Sequence, residues 1–360
     1  MWAGGIVACL ASRGVAQGVS LLGHDTGVAE QRDADSSDAR RVLETVSWER
    51  GAFAILVEPA EGGDYAATVD FPSPLPDVDE GLNRVRLRWY PARRLAAAAA
   101  GPAGGEGDLS VVGGEAGEAV GGGAASVLLV HSLHPDMPVA TMLARGLSGR
   151  GVHAFVLELP GYGSRAATPP RMTGVTALLR AAQAVADVRR GRDVIAALAD
   201  LPQGDAARRP IDPGRIAVQG TSLGSFVAAT ASALDGCFSQ TFLLLSGGDG
   251  LDVLRHGQKD AFHVRNALRH YGYDDAALAE LIGPIEPLAI ADRLDPAATW
   301  MFNAVDDVVI PRQNAERLAD AIGLDPSHRV WMPGNHYTAF LLLPGVLERM
   351  CRELEMTEIE

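Results

Sequence analysis

The chain is poor in cysteine, in aromatic residues (6%) and in lysine, of which Lys259 is the only one. Its three cysteines, Cys9, Cys237 and Cys351, are too few and too far apart to predict a disulfide framework or a closed metal site. No apolar run reaches about 18 residues, so no membrane span is predicted. With 31 Lys+Arg against 45 Asp+Glu, the net charge of −14 argues against the basic face that nucleic-acid binding needs.

The 360 residues are 47% hydrophobic and 21% charged, which is typical of a globular protein. Residues 1–45 are predicted to be a flexible segment, a signal or a tether. The apolar run at 2–12 lacks the positive charge that precedes the apolar core of a secretory signal. The sequence therefore favours a cytoplasmic protein, with export or a lipid anchor at Cys9 as the alternative if the true start lies upstream.

Strand-like and helix-like patterns alternate from residue 126 onwards, which predicts a mostly parallel sheet with helices on both faces in one α/β domain over 46–350. Residues 84–90 alternate between Arg and larger apolar residues, and they predict a half-exposed edge strand. The Ala/Gly-rich residues 95–125 predict a low-complexity surface insertion. Residues 351–360 are predicted to be a tail. The strands before residue 90 are expected to begin the same sheet, with a separate interaction module as the alternative.

The strongest chemical signal is Gly220-Thr-Ser-Leu-Gly224, which lies between the strand pattern 216–218 and a helix pattern. Gly-x-Ser-x-Gly in this context is a nucleophile elbow, in which two glycines, Gly220 and Gly224, permit a strained turn that exposes Ser222. No other serine has glycine two residues before and two residues after it. The alternative is a plain helix N-cap role for Ser222.

A serine nucleophile needs a base, and the base needs an orienting carboxylate. Asp307 follows the strand pattern 300–302, and His336 follows the pattern 330–331 in a Gly-Asn-His turn. The order Ser222, Asp307, His336 is that of one of the common triad arrangements. Asp306 and Asp249 remain the alternatives for the acid. His131 and His134 with Asp136 are the alternative of a metal site, although no metal is predicted.

These motifs resemble those of the α/β-hydrolase superfamily over about residues 126–350, and within it those of serine esterases of the dienelactone-hydrolase-like or prolyl-oligopeptidase-like branch. The segment 127–133 is similar to the family's oxyanion loop, with Ser132 where glycine is usual. The segment 158–164 is similar to the family's Asp-x-x-Gly-x-Gly-x-Ser stretch, with Glu158 in place of Asp. The resemblance implies an oxyanion hole formed by the backbone N–H groups of Leu133 and Leu223. The apolar residues within 250–298, between the sixth and seventh strands of the fold, predict amphipathic helices that form a short lid over the serine, with plain packing on the sheet as the alternative.

The sequence thus predicts a serine hydrolase that cleaves a small carboxylic ester through an acyl-enzyme and requires no metal or organic cofactor. A peptidase or thioesterase with the same triad is the first alternative, because the acyl-transfer machinery is shared. A non-catalytic binding protein of the same fold is the second. The acidic chain favours neutral substrates. Substrate identity and oligomeric state cannot be read from the sequence.

Overall fold

The fold is built around one large sheet. A computed structural model describes residues 18–26, 37–93, 122–165, 176, 178–201 and 208–356. Within these residues the strands are β1 (Val19–His24), β2 (Ala52–Pro59), β3 (Ala67–Pro72), β4 (Arg84–Tyr90), β5 (Ala124–Val130), β6 (His153–Leu157), β7 (Ile211–Thr221), β8 (Thr241–Leu244), β9 (Thr299–Ala304) and β10 (Arg329–Met332). The α-helices of the same residues are α1 (Ser37–Thr45), α2 (Pro138–Ser148), α3 (Ala181–Ala197), α4 (Leu223–Asp235), α5 (Gly250–His256), α6 (Asp260–His270), α7 (Asp275–Ile282), α8 (Arg312–Ile322) and α9 (Leu343–Met356).

The strand order is β1-β2-β3-β4-β6-β5-β7-β8-β9-β10. Strands β1 to β4 pair antiparallel with one another, and β4 pairs antiparallel with β6. From β6 to β10 every pair is parallel. The sheet is therefore mixed, and the predicted parallel arrangement forms its C-terminal part.

The middle of the sheet is covered on both faces. In β5, Leu128 and Val130 point to a core shared with α3 and α4, whereas Val127 and Leu129 point to a second core shared with α2 and α9. All seven residues of β5 are buried. This explains the continuously apolar run at residues 127–130, which a strand needs when helices cover both of its sides.

The prediction that residues 84–90 form an edge strand is wrong, because β4 lies between β3 and β6. Its alternating pattern has another cause. Val85 and Leu87 are buried in the core, while the arginines between them bind carboxylates: Arg86 Nε donates to Asp70 Oδ1 over 2.7 Å and Arg88 Nε donates to Glu158 Oε1 over 2.9 Å. The side chains of Arg86 and Arg88 remain 25% and 23% exposed, so the half-exposed pattern comes from ion-paired arginines of an interior strand.

The predicted flexible N-terminal segment is wrong for its described part. Strand β1 pairs with β2, and Asp25 forms an ion pair with Arg190 of α3, with 2.7 Å between Oδ2 and Nη2. Val42 and Leu43 of α1 are buried. A carboxylate contact across 165 residues of sequence leaves no local pattern, so the sequence could not indicate it. Residues 1–17, with Cys9, and 27–36 lie outside the described residues, as do residues 95–121 of the predicted insertion. The insertion ends earlier than predicted, because Ala124 and Ala125 are buried in β5.

The predicted tail is wrong for residues 351–356, because α9 continues to Met356 and buries Cys351 and Leu354. These two residues extend the apolar face that Met350 begins, so the helix has a reason to continue. The region 250–298 contains α5, α6 and α7 followed by 3₁₀ turns, and it joins β8 to β9. No helix among the described residues combines the length and the apolar composition that crossing a membrane requires.

Candidate active site

Ser222 lies in a sharp turn between β7 and α4. Its backbone has φ 53° and ψ −119°, a conformation that non-glycine residues rarely adopt. The Ser222 N–H donates to Leu244 O over 2.9 Å, which ties the turn to the neighbouring strand β8. The turn places Ser222 at the carboxyl end of a central parallel strand and at the first turn of a helix.

The two glycines of the turn are required by close backbone contacts. A Cβ on Gly220 would come within 2.3 Å of Gly224 O, and a Cβ on Gly224 would come within 2.2 Å of Val130 O. Backbone atoms cannot move aside as a flexible side chain can. The Gly-x-Ser-x-Gly spacing is therefore a packing requirement of this strained turn.

Asp307 lies on the loop after β9, and its carboxylate is held by backbone donors. Its Oδ1 accepts hydrogen bonds from Val309 N at 2.8 Å and from Ile310 N at 3.0 Å. The side chain is 2% exposed. These bonds fix the carboxylate and leave Oδ2 directed towards the next loop.

His336 lies on that next loop, after β10, and it joins the other two side chains. Its Nδ1 is 2.7 Å from Asp307 Oδ2, and its Nε2 is 3.1 Å from Ser222 Oγ. The loop is braced by Asn335, whose Oδ1 accepts from Tyr337 N at 3.0 Å. The structure thus brings together all three side chains that the sequence singled out, in one hydrogen-bonded row.

The alternative acids have other roles. Asp306 is exposed, and its backbone N–H donates to Gly334 O over 2.9 Å, which connects the Asp307 and His336 loops. Asp249 caps α5 by accepting from Asp252 N over 3.2 Å, and it pairs with Arg317. Neither carboxylate is the partner of the His336 ring.

Leu133 and Leu223, the predicted oxyanion donors, line one small cavity together with Ser222. Leu223 is the first residue of α4, where helix amides have no acceptor in a preceding turn. The Tyr162 hydroxyl donates to Leu133 O over 2.8 Å and so orients the loop that follows β5. Tyr162 belongs to the segment 158–164, but nothing in the sequence of that segment indicates a contact with Leu133.

His131 and Glu158 stabilise the loops around Ser222. His131 Nδ1 donates to Ser132 O over 2.7 Å and its Nε2 accepts from Leu159 N over 3.2 Å, so both ring nitrogens are occupied. Burial lowers the pKa of His131 to about 4. Glu158 accepts from Ser164 N at 2.8 Å and pairs with Arg88. Among the described residues, no group of three or more His, Cys, Asp or Glu side chains is arranged to hold a metal ion.

A cavity of about 730 Å³ opens above Ser222 and His336. Its walls come from the loop after β5, from α2, from α6 and from the segment after His336. The walls are mainly apolar, and polar groups such as Asp260 and His263 occur at only a few positions. The apolar lining residues include Leu133, Pro138, Val139, Met142, Phe340 and Leu343.

Tyr337, next to His336, links this cavity to helix α6. Lys259 Nζ, at the start of α6, lies 4.8 Å from the centre of the Tyr337 ring. Burial and the nearby Asp260 carboxylate raise the pKa of Tyr337 to about 12. Sequence reasoning missed this contact, since nothing in the chain relates residue 259 to residue 337.

No protein-family model and no curated protein sequence matches this chain. Among solved structures, an acetyl xylan esterase from Paenibacillus sp. R4 matches with a TM-score of 0.54 at 14% identity, over 92% of this chain and 96% of that one. A puromycin hydrolase matches with a TM-score of 0.50 at 16% identity, over 86% of this chain and 46% of that one. A cold-adapted esterase from an Arctic intertidal metagenomic library matches with a TM-score of 0.47 at 15% identity, over 80% and 94%.

At sequence identities this low, a structural match shows a similar fold and says nothing of a shared activity. The acetyl xylan esterase nonetheless aligns along nearly the whole of both chains, so the match extends beyond the strands around Ser222 to the antiparallel part of the sheet. The chain therefore has the fold of the α/β-hydrolase superfamily.

Proposed function

We propose that this protein is a serine hydrolase that cleaves carboxylic esters through an acyl-enzyme intermediate. The observation that carries the proposal is the row of hydrogen bonds from Asp307 through His336 to Ser222, with 2.7 Å and 3.1 Å between the paired atoms. It lies at the base of a largely apolar cavity of about 730 Å³, within the size range of small-molecule sites.

In this proposal Ser222 Oγ attacks the ester carbonyl while His336 Nε2 takes its proton. Collapse of the tetrahedral intermediate breaks the bond to the alcohol oxygen, which receives that proton from His336. Water then repeats the sequence: its oxygen bonds to the acyl carbon, its proton passes through His336 to Ser222 Oγ, and the acid leaves. Asp307 keeps the proton of the resting ring on Nδ1 and stabilises the charged ring.

The N–H groups of Leu133 and Leu223 would stabilise the negative oxygen of the intermediate, at about 3 kcal/mol per donor. Leu223 adds the positive end of the α4 dipole. Helix α6 would act as a lid, because Asp260, His263 and Val264 form one wall of the cavity. Excluding water on that side would strengthen the electrostatic interactions at Ser222.

The test is labelling with a fluorophosphonate, which reacts with activated serines. We expect labelling of the peptide that contains Ser222, and its loss in Ser222→Ala. The matched control is Ser239→Ala, which removes a hydroxyl at a position remote from the cavity lining and should leave labelling intact. A folded native protein that takes no label would favour the non-catalytic binding alternative.

A second measurement separates the enzyme alternatives. One acyl group is offered as an oxygen ester, a thioester and an anilide. The proposal expects the oxygen ester to give the largest kcat/KM relative to its uncatalysed hydrolysis. A larger relative value for the anilide or the thioester would favour a peptidase or a thioesterase.

A further inference from the structure

Two cavities meet at Ser222, and they differ in size. The larger is the cavity of about 730 Å³ described above. The smaller has a volume of about 70 Å³ and lies beneath α5, α6 and the 3₁₀ turns that follow α7. Leu133, Ser222 and Val264 line both. An ester bound at Ser222 has two arms, and the two cavities provide separate spaces for them.

The position of His336 assigns each arm to a cavity. His336 lines only the larger cavity, and Leu223 lines only the smaller one. In acyl transfer the base returns its proton to the leaving oxygen, so the alcohol arm must lie on the side of His336. The acyl arm then enters the smaller cavity.

The walls of the smaller cavity restrict the chemistry of the acyl group. Apart from Ser222, every described residue that lines it is glycine or carries a hydrocarbon side chain; these include Phe226, Val253, Leu254, Ala261, Ile282 and Ile285. A charged or hydrogen-bonding acyl group would lose its water there without gaining a partner. The α-ammonium group of an aminoacyl substrate is therefore disfavoured.

The volume restricts the length of the acyl group. An apolar cavity of roughly 150 Å³ holds a benzene ring in a well-studied case. A volume of 70 Å³ is about half of that, which leaves room for roughly three carbons beyond the carbonyl. The larger cavity has no such limit and can take a bulky, mainly apolar alcohol.

On these grounds, and resting on the proposed hydrolase function, we propose that the substrates are esters of short, uncharged acids of about two to four carbons with larger apolar alcohols. Hydrolysis breaks the bond between the acyl carbon and the alcohol oxygen. One water molecule supplies the hydroxyl of the released acid and the hydrogen of the released alcohol.

The test is a series of 4-nitrophenyl esters with acyl chains of two, four, six and eight carbons. We expect kcat/KM to fall at least about tenfold between four and eight carbons, since excess methylenes do not fit an apolar pocket of about 70 Å³. Ala261→Leu fills the smaller cavity and should lower the ratio of four-carbon to two-carbon rates by about tenfold. Ile285→Ala enlarges the cavity and should shift the optimum to longer chains, which keeps the test valid if Ala261→Leu does not fold.

The matched control is Met142→Ala, which enlarges only the larger cavity. It should change the preference among alcohols and leave the acyl-length ratio within about twofold, because the two arms are bound separately. An optimum at eight carbons, a flat profile, or faster cleavage of an aminoacyl ester than of the butyryl ester would overturn the assignment. If fluorophosphonate still labels Ser222 in that case, the hydrolase proposal survives; if native protein takes no label, the proposed function fails and this inference fails with it.

Discussion

Strands β1 to β4 are joined to their surroundings through buried ion pairs, whereas strands β5 to β9 bury mainly apolar side chains. Asp70 of β3 accepts from Arg86 of β4, and Asp25 beside β1 pairs with Arg190 of α3. Every residue of β5 and of β8 is buried without an ion pair. The two parts of one sheet are thus stabilised by different interactions.

The difference separates the charged groups that stabilise the fold from those of the proposed active site. In the antiparallel part, each described buried carboxylate has an arginine partner that neutralises it. In the parallel part, Asp307, His336 and Ser222 occur only after strands end, where a loop can expose them. Changes in the two parts should therefore have separable effects, on stability in one and on turnover in the other.

The largest effect should follow from Asp307→Asn. Since the backbone N–H groups of Val309 and Ile310 would hold the amide oxygen, the amide NH2 would face Nδ1 and donate to it. This favours the wrong tautomer of His336, so kcat should fall about 10⁴-fold while the protein stays folded. Steady-state hydrolysis of a short-chain ester measures it. Asp306→Asn is the matched control, since this exposed neighbour does not contact the ring, and it should retain activity within about twofold. Equal losses of kcat in Asp307→Asn and Asp306→Asn would refute the assignment of the acid to Asp307.

The next effect is on stability and should arise from Asp187→Ala. Arg165 Nη2 lies 2.7 Å from Asp187 Oδ2, and both side chains are 0% exposed. Removing one partner leaves a buried charge, so the free energy of unfolding should fall by about 3–5 kcal/mol, with kcat of the folded fraction little changed. Urea unfolding and active-site titration measure the two quantities.

The double variant Arg165→Met/Asp187→Leu sharpens that result. It replaces both charges by apolar groups, and buried pairs exchanged in this way are often neutral in stability. We expect most of the stability lost in Asp187→Ala to return. A double variant as unstable as the single one would mean that the hydrogen bonds of Arg165 to Leu82 O and Glu158 O carry the stabilisation.

The smallest effect concerns His153, where the two parts meet. Its Nδ1 accepts from Ala92 N over 2.9 Å, and its Nε2 donates to Arg209 O over 3.0 Å, so only the neutral ring fits. Burial lowers the pKa of His153 from 6.5 to about 4. As the pH falls from 6.5 to 4 the unfolded chain takes up a proton that the folded chain does not, so the free energy of unfolding should decrease, by about 3 kcal/mol in total.

Unfolding in urea at several pH values between 4 and 7.5 tests this. His153→Gln has no titrating ring and should show a shallower loss of stability on acidification than the native protein. The remaining pH dependence should include His131, whose pKa is also lowered to about 4. An identical pH dependence in the two proteins would show that His153 does not couple protonation to folding.

The positions of Ser222, Asp307 and His336 could be predicted because their signals are local. The strained turn requires glycine at fixed spacing, and loops after parallel strands meet at one edge of the sheet. The sequence favoured Asp307 as the acid and left Asp306 and Asp249 as alternatives, and the hydrogen bond to His336 shows that the Asp307 carboxylate contacts the ring.

Other features depend on contacts that leave no local pattern. Strand β1 was missed because its anchor, Asp25, pairs with a residue 165 positions away. Strand β4 has the alternation of an exposed edge, since arginines in ion pairs and arginines in water look alike in sequence. The smaller cavity could not be predicted from the sequence, because its walls come from segments far apart in the chain: Leu178, α4, α5, α6 and the loop after Asp307.

The single lysine has a practical consequence. Lys259 is exposed, stands at the start of α6 and lies against the Tyr337 ring beside His336. An amine-reactive fluorophore would therefore attach to one side chain in the whole chain, apart from the amino terminus, and it would do so at the rim of the large cavity. The protein carries its own attachment point for an optical reporter of ligand entry, and no engineered cysteine is needed.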